Sequence, residues 1–222
     1  MIFSSFASNY DYMERYICEN VFVPLRSAPA HKSEMLSQIL FGEKYTVTDK
    51  SGSWMKIQTL FDNYSGWIDM DHLQHTVDEG NSCGHVLNRS LLCYKNDKTK
   101  MVLEAGCEVF NPDFEDNIFV IGRNIYNTTP EFNRSYISTN DSLPDITMKF
   151  INSPYIWGGR IPSGIDCSGL TQLAFKIYSI PISRDSKAQA EEGTIINFID
   201  ETEPGDLAFF DNGNGRISHV GM

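Results

Sequence analysis

A cysteine and a histidine carry the strongest chemical suggestion in this chain. Cys167 lies in the segment PYIWGGRIPSGIDCSGLTQLAFKIY, where a loop rich in Gly and Pro passes into apolar residues at helical spacing: Leu170, Leu173, Ala174, Ile177 and Tyr178. At such a junction the first-turn N–H groups lack partners within the helix and its dipole is positive, which favours a thiolate. Downstream, GRISHVGM places His219 in a strand pattern. A helix packed on a sheet can bring the two side chains into hydrogen-bond reach, so that the imidazole serves first as base and then as acid. Cys with His is the minimum set for acyl transfer.

Elements of two kinds must position this pair. From Val21 to about Leu73 the chain reads as short strands separated by turn residues, with Ser51-Gly52 as a tight turn. Trp54, Lys56 and Gln58 alternate with Met55, Ile57 and Thr59, as in a sheet with one wet face. The run SGWI resembles bacterial SH3-like barrels, in which a strand ends in Gly-Trp followed by an aliphatic residue. A second strand series over about Val86 to Ile125 predicts another such barrel, on strand density alone. The polar stretch that follows reads as a linker, and the region from Pro144 as α+β, with strands at GDLAFF and from Ile217 to Met222. The expected division is a first SH3-like barrel with an N-terminal extension over 1–80, a second over 81–130, a linker over 131–143 and an α+β domain over 144–222.

Composition narrows the partners. With 18 Lys+Arg against 29 Asp+Glu the formal net charge is −11, and no basic stripe exists to displace the counterions of a nucleic acid or to bind an anionic membrane. No apolar run reaches the length of a membrane span, and Met1 to Glu14 has neither a basic start nor an apolar stretch, so a cytoplasmic location is expected, with a periplasmic or secreted one as the alternative where a leader has been removed. The five cysteines are scattered without a C-x-x-C pair, which reads as free thiols, with Cys18, Cys83, Cys93 and Cys107 structural. His31, His72, His75 and His85 show no metal-ligand spacing, and the chemistry needs no cofactor.

In order and spacing, PYIWGG, DCSGL, PGDLAFF and HVG resemble the NlpC-type family of bacterial cell-wall cysteine peptidases, over about Pro144 to Met222. The resemblance implies a papain-like catalytic domain with Cys167 as nucleophile, His219 as general base and the Cys167 N–H as an oxyanion donor. Together with SRDS and the barrels, it points to γ-D-glutamyl-L-diamino acid endopeptidases acting on peptidoglycan stem peptides that begin with a free L-Ala. By this resemblance Asp166 pairs with the substrate ammonium, while Ser168, Arg184 and Ser186 bind the D-Glu portion. Tyr155 and Trp157 line the wall, and Tyr64 and Glu34 reach the ammonium from the first barrel.

Structural readings stand beside several of these roles. Asp166 suits a helix N-terminus without any ligand. Ser186-Lys187-Ala188-Gln189 has the form of a capping box. Arg184 is a surface ion-pair partner for Asp185 or Glu191 in the plain reading, and Tyr155 and Trp157 are core filling. The family's further polar residue, usually a second His that orients the first, would lie beyond Met222, three residues past His219. From this the domain is expected to be truncated and the chain as it stands weakly active or inactive. The alternatives are a wall-peptide-binding module without turnover and a Cys/His acyltransferase on the same fold.

Overall fold

The computed structural model describes residues 14–78, 84–130, 132 and 141–222. Seven strands form the first sheet: β1 (Arg15–Cys18), β2 (Phe22–Arg26), β3 (Met35–Leu40), β4 (Lys44–Ser51), β5 (Trp54–Thr59), β6 (Ser65–Asp69) and β7 (His75–Val77). Their order is β3-β2-β6-β5-β4-β1-β7, and every pairing is antiparallel. Met55, Ile57 and Thr59 point inward on β5 and Lys56 outward, as the alternation requires. Trp54 departs from that pattern, because the His31 ring packs against it at 5.0 Å and buries it. Gly52 makes the β4–β5 turn at φ +58°.

The next stretch holds β8 (Gly84–Val86), β9 (Leu91–Lys95), β10 (Thr99–Leu103), β11 (Glu108–Phe110), β12 (Ile118–Ile121) and β13 (Asn124–Thr128). They make a four-stranded sheet, β10-β9-β13-β12, and a two-stranded one, β11-β8. This stretch shares a core with its neighbours: Ile17 and Leu40 of the first sheet and Phe41 of its β3–β4 turn pack with Leu91, Val109, Phe119 and Tyr126, and with Ile161 from farther on. Most of the expected linker lies outside the described residues, as do most of the N-terminal extension and Cys83; Phe132 is buried against Phe119 at 5.9 Å between ring centroids.

The last part contains α1 (Leu143–Met148), β14 (Arg160–Ile161), β15 (Gly164–Ile165), α2 (Cys167–Ile177), α3 (Ser186–Gln189), β16 (Ala208–Asp211) and β17 (Ile217–Gly221). Ser142 caps α1 in a full capping box with Asp145. The box expected at Ser186 is not made, because α3 takes Asp185 as its N-cap and the Gln189 amide turns inward to the carbonyls of Ser168 and Ser183. Leu173, Ala174 and Ile177 of α2 meet Ile146, Phe150, Ile165 and Ala105 in one core. Among the described residues no helix is long and apolar enough to cross a membrane.

A buried charge cluster ties the three parts together. The Glu43 carboxylate, in the β3–β4 turn, accepts from both Arg160 Nη atoms at 3.0 and 2.9 Å and from Lys176 Nζ at 2.6 Å. Lys176 also donates to the Gly106 carbonyl at 2.9 Å and pairs with Glu108 at 3.1 Å. Burial alone would raise the Glu43 carboxyl, but the charges and hydrogen bonds of Arg160 and Lys176 outweigh it and hold it at about 2. Burial instead pushes the Cys93 and Cys107 thiols up to about 12.

A carboxyl lowered on folding contributes stability that is present above its unfolded value and lost as the pH falls through its folded one. Glu43→Gln is therefore expected to be less stable than the wild type by about 3–5 kcal/mol at neutral pH. That gap should narrow as the pH drops from 4.5 toward about 2. Urea unfolding across that range checks it, and a constant gap would contradict it.

Candidate active site

The loop before α2 is shaped by close backbone approaches. Gly158 has φ +78°, and a Cβ there would lie 2.4 Å from the Met35 carbonyl oxygen of β3. A Cβ on Gly169 would lie 2.2 Å from the Gly159 carbonyl oxygen, so the first turn of α2 sits directly on this loop. The WGG and CSG glycines thus let the first sheet, the loop and the helix start pack backbone to backbone.

Asp166 is the N-cap of α2, and its carboxylate is fully engaged. Oδ1 accepts from Gly169 N at 2.7 Å and Oδ2 from Gly158 N at 2.8 Å. Arg184 grips both oxygens, Nη1 to Oδ1 at 3.0 Å and Nη2 to Oδ2 at 2.7 Å. The remaining Arg184 donors go to Ser168 Oγ at 2.8 Å, Ser37 Oγ at 3.1 Å and, at 3.5 Å, the Gly159 carbonyl. All five guanidinium N–H groups are therefore committed, and Arg184 is only 2% exposed. The Ser168 hydroxyl, also buried, accepts from Arg184 and donates to Asp166 at 3.3 Å.

Cys167 is the first residue of α2 and is partly exposed at the floor of a cleft of about 550 Å³. Tyr155 stands beside it; partial burial, then the neighbouring Cys167 and Asp166, raise the Tyr155 hydroxyl above its usual range. The first sheet supplies one wall of the cleft through Glu34, Leu36 and Tyr64. Glu34 Oε1 accepts from Trp157 Nε1 at 2.8 Å. Tyr64 donates to the Asp185 carboxylate at 3.2 and 3.3 Å, and burial followed by that carboxylate drives its hydroxyl upward, so it stays protonated.

Nine of the ten residues picked out in the sequence line this one cleft: Glu34, Tyr64, Tyr155, Trp157, Asp166, Cys167, Ser168, Arg184 and Ser186. Tyr155 and Trp157 are each 62% exposed on its rim and are not core filling. His219 stands on β17, beside Ile217 and Ser218, which do line the cleft. Its ring is exposed, 5.8 Å from that of Phe210, and among the described residues it makes no hydrogen bond with Cys167. Asp185 is a cleft residue that residue types and spacing did not single out. It is exposed, lines the cleft, makes no side-chain cap on α3 and takes the Tyr64 hydroxyl instead. The SRDS run held the only signal for it, a second acid beside the cleft arginine.

Residues 152–222 match the model of the NlpC/P60 family, and residues 25–73 that of the bacterial dipeptidyl-peptidase SH3 domain. This chain carries an NlpC/P60 domain. Its Cys167 and His219 both fall within the matched NlpC/P60 residues, while Glu34 and Tyr64 belong to the SH3 domain. The chain is similar to the γ-D-glutamyl-L-lysine dipeptidyl-peptidases of Bacillus cereus, 27% identical over 86% of this chain, and of Bacillus subtilis, 26% identical over 84%. Those alignments cover 65% and 68% of the two proteins, so the chain spans about two thirds of their length. The crystal structure of an NlpC/P60 family protein from Bacillus cereus shares the fold, with a TM-score of 0.78 over 93% of this chain and 86% of that one, at 21% identity.

Removing one partner of the buried Asp166–Arg184 pair strands a charge. Arg184→Met is expected to cost about 3–5 kcal/mol of unfolding free energy. Arg184→Lys, which keeps the charge without the planar fork, should recover only part of it. Urea denaturation measures both, and a wild-type midpoint for Arg184→Met would show that the pair does not hold the helix start.

Proposed function

We propose that the chain is a cysteine peptidase that hydrolyses the γ-D-glutamyl–diamino acid amide of peptidoglycan stem peptides with a free N-terminal L-Ala, a step in recycling wall peptides. The observation that carries this reading is that two carboxylates and a tyrosine hydroxyl, Glu34, Asp185 and Tyr64, gather in the cleft that holds Cys167. A substrate ammonium entering there needs acceptors and counter-charge to replace its water. Asp166 is spent on internal donors, so Asp185 takes the role the sequence suggested for it. The names of the Bacillus relatives support the same bond.

In this mechanism the Cys167 sulfur attacks the γ-carbonyl carbon, and the oxyanion is met by the Cys167 N–H, a first-turn donor with no partner inside the helix. His219 takes the thiol proton from Cys167 and delivers it to the departing amine as the C–N bond breaks and the thioester forms, then takes a proton from the attacking water and returns it to the sulfur released by hydrolysis. Catalytic hydrogen bonds of this kind commonly tighten only when substrate is bound. In this reading the domain 144–222 is papain-like and residues 81–130 form a second SH3-like barrel. The exposed His219 ring favours one alternative, a wall-peptide-binding module without turnover.

Peptides L-Ala-γ-D-Glu-L-Lys with a free or an acetylated N-terminus separate these readings. The free peptide should be cleaved, the acetylated one at least about a hundredfold more slowly. Cys167→Ala should abolish cleavage, and Tyr64→Phe should raise KM more than it lowers kcat. Equal cleavage of both peptides would remove the ammonium site, and binding without cleavage would support the alternative.

A further inference from the structure

The cleft is lined by three acidic side chains, Glu34, Asp166 and Asp185, and three basic ones, Arg184, Lys187 and Arg216. The buried Asp166–Arg184 pair removes one of each from ligand binding, since every Arg184 N–H is already used. What remains open to a ligand is Glu34 and Asp185 as anions and Lys187 and Arg216 as cations. Among the described residues neither Lys187 nor Arg216 takes part in an ion pair or a side-chain hydrogen bond, and both are exposed.

Arg216 is the better placed of the two. It closes the turn between β16 and β17, where Asn212 N donates to the Arg216 carbonyl at 3.1 Å and glycines 213 and 215 adopt φ +85° and +73°. Ile217 and Ser218 follow it along the same cleft wall, leading to His219. Its guanidinium offers two parallel N–H groups that match a carboxylate in one plane, which the Lys187 ammonium does not. Lys187 also lies in the last turn of α3, where its charge complements the helix C-terminus.

We infer that Arg216 is the specificity-determining cation of the cleft, binding a substrate carboxylate that Arg184 has no free donor to hold. The inference rests on the peptidase reading for its choice of ligand. A γ-D-Glu-linked tripeptide has two candidate carboxylates, the D-Glu α-carboxylate and the C-terminal one of the residue that leaves. Both present the same chemistry to a guanidinium, and amidating them singly tells them apart.

The test is calorimetric binding to Cys167→Ala of L-Ala-γ-D-Glu-L-Lys, of the same peptide with the D-Glu α-carboxamide, and of the same peptide with a C-terminal carboxamide. One of the two amidations should weaken binding by at least about tenfold. In Cys167→Ala/Arg216→Gln that amidation should make no difference, while Arg216→Lys should keep part of the discrimination. Thermal melting of each variant confirms that this exposed turn position leaves the fold intact. If both amidated peptides bind like the parent, or if discrimination survives Arg216→Gln, the inference is overturned, even where the wild-type chain cleaves the parent peptide. Discrimination that depends on Arg216 without cleavage by the wild type would uphold the inference and defeat the peptidase reading. Binding of none of the three would overturn both.

Discussion

The site depends on one buried ion pair. Asp166 and Arg184 meet through two near-parallel hydrogen bonds, 3.0 and 2.7 Å long, at the N-terminus of the helix that begins with Cys167. Burying two charges recovers little net free energy, because the desolvation of each offsets their attraction. The pair instead fixes geometry. Asp166 also receives the N–H groups of Gly158 and Gly169, and Arg184 reaches Ser37 in the first sheet, so loop, helix start and first sheet share a single network. Displacing any one of them leaves a buried donor or acceptor unmatched, which is the costly state.

Glu43 repeats the device deeper in the molecule, with Arg160 from the loop hairpin and Lys176 from α2 on one carboxylate. The two networks hold α2 at both ends, Asp166 at its start and Lys176 near its finish. Held this way, the SH3 domain forms a wall of the cleft and contributes Glu34 and Tyr64 to it. The charges consumed internally also define those left over. Glu34, Asp185, Lys187 and Arg216 are the cleft ionic groups that no buried partner has claimed, and a zwitterionic peptide presents the complementary set.

Much of this architecture was legible in the sequence. The apolar spacing after Cys167 marks α2, and both C-terminal strands lie where the alternation puts them. The strands β1 and β7 were not legible, being four and three residues long, too short to show a period, and stabilised by the pairing of β1 with β4 and of β7 with β1. At Ser186 the local capping signal lost to a tertiary one, since the Gln189 amide is worth more inside, where it satisfies two buried carbonyls. The choice between Asp166 and Asp185 could not be made from residue types. Both are acids beside the same arginine, and only the partners brought from Gly158 and Ser37, far apart in the chain, decide which carboxylate is spent.

The decisive measurement is a crystal structure of Cys167→Ala with bound L-Ala-γ-D-Glu-L-Lys. The peptide ammonium is expected between Glu34 and Asp185, within hydrogen-bond distance of Tyr64, with the Asp166–Arg184 pair undisturbed beneath it. An ammonium resting on Asp166, with Arg184 turned out into the cleft toward the ligand, would contradict this placement.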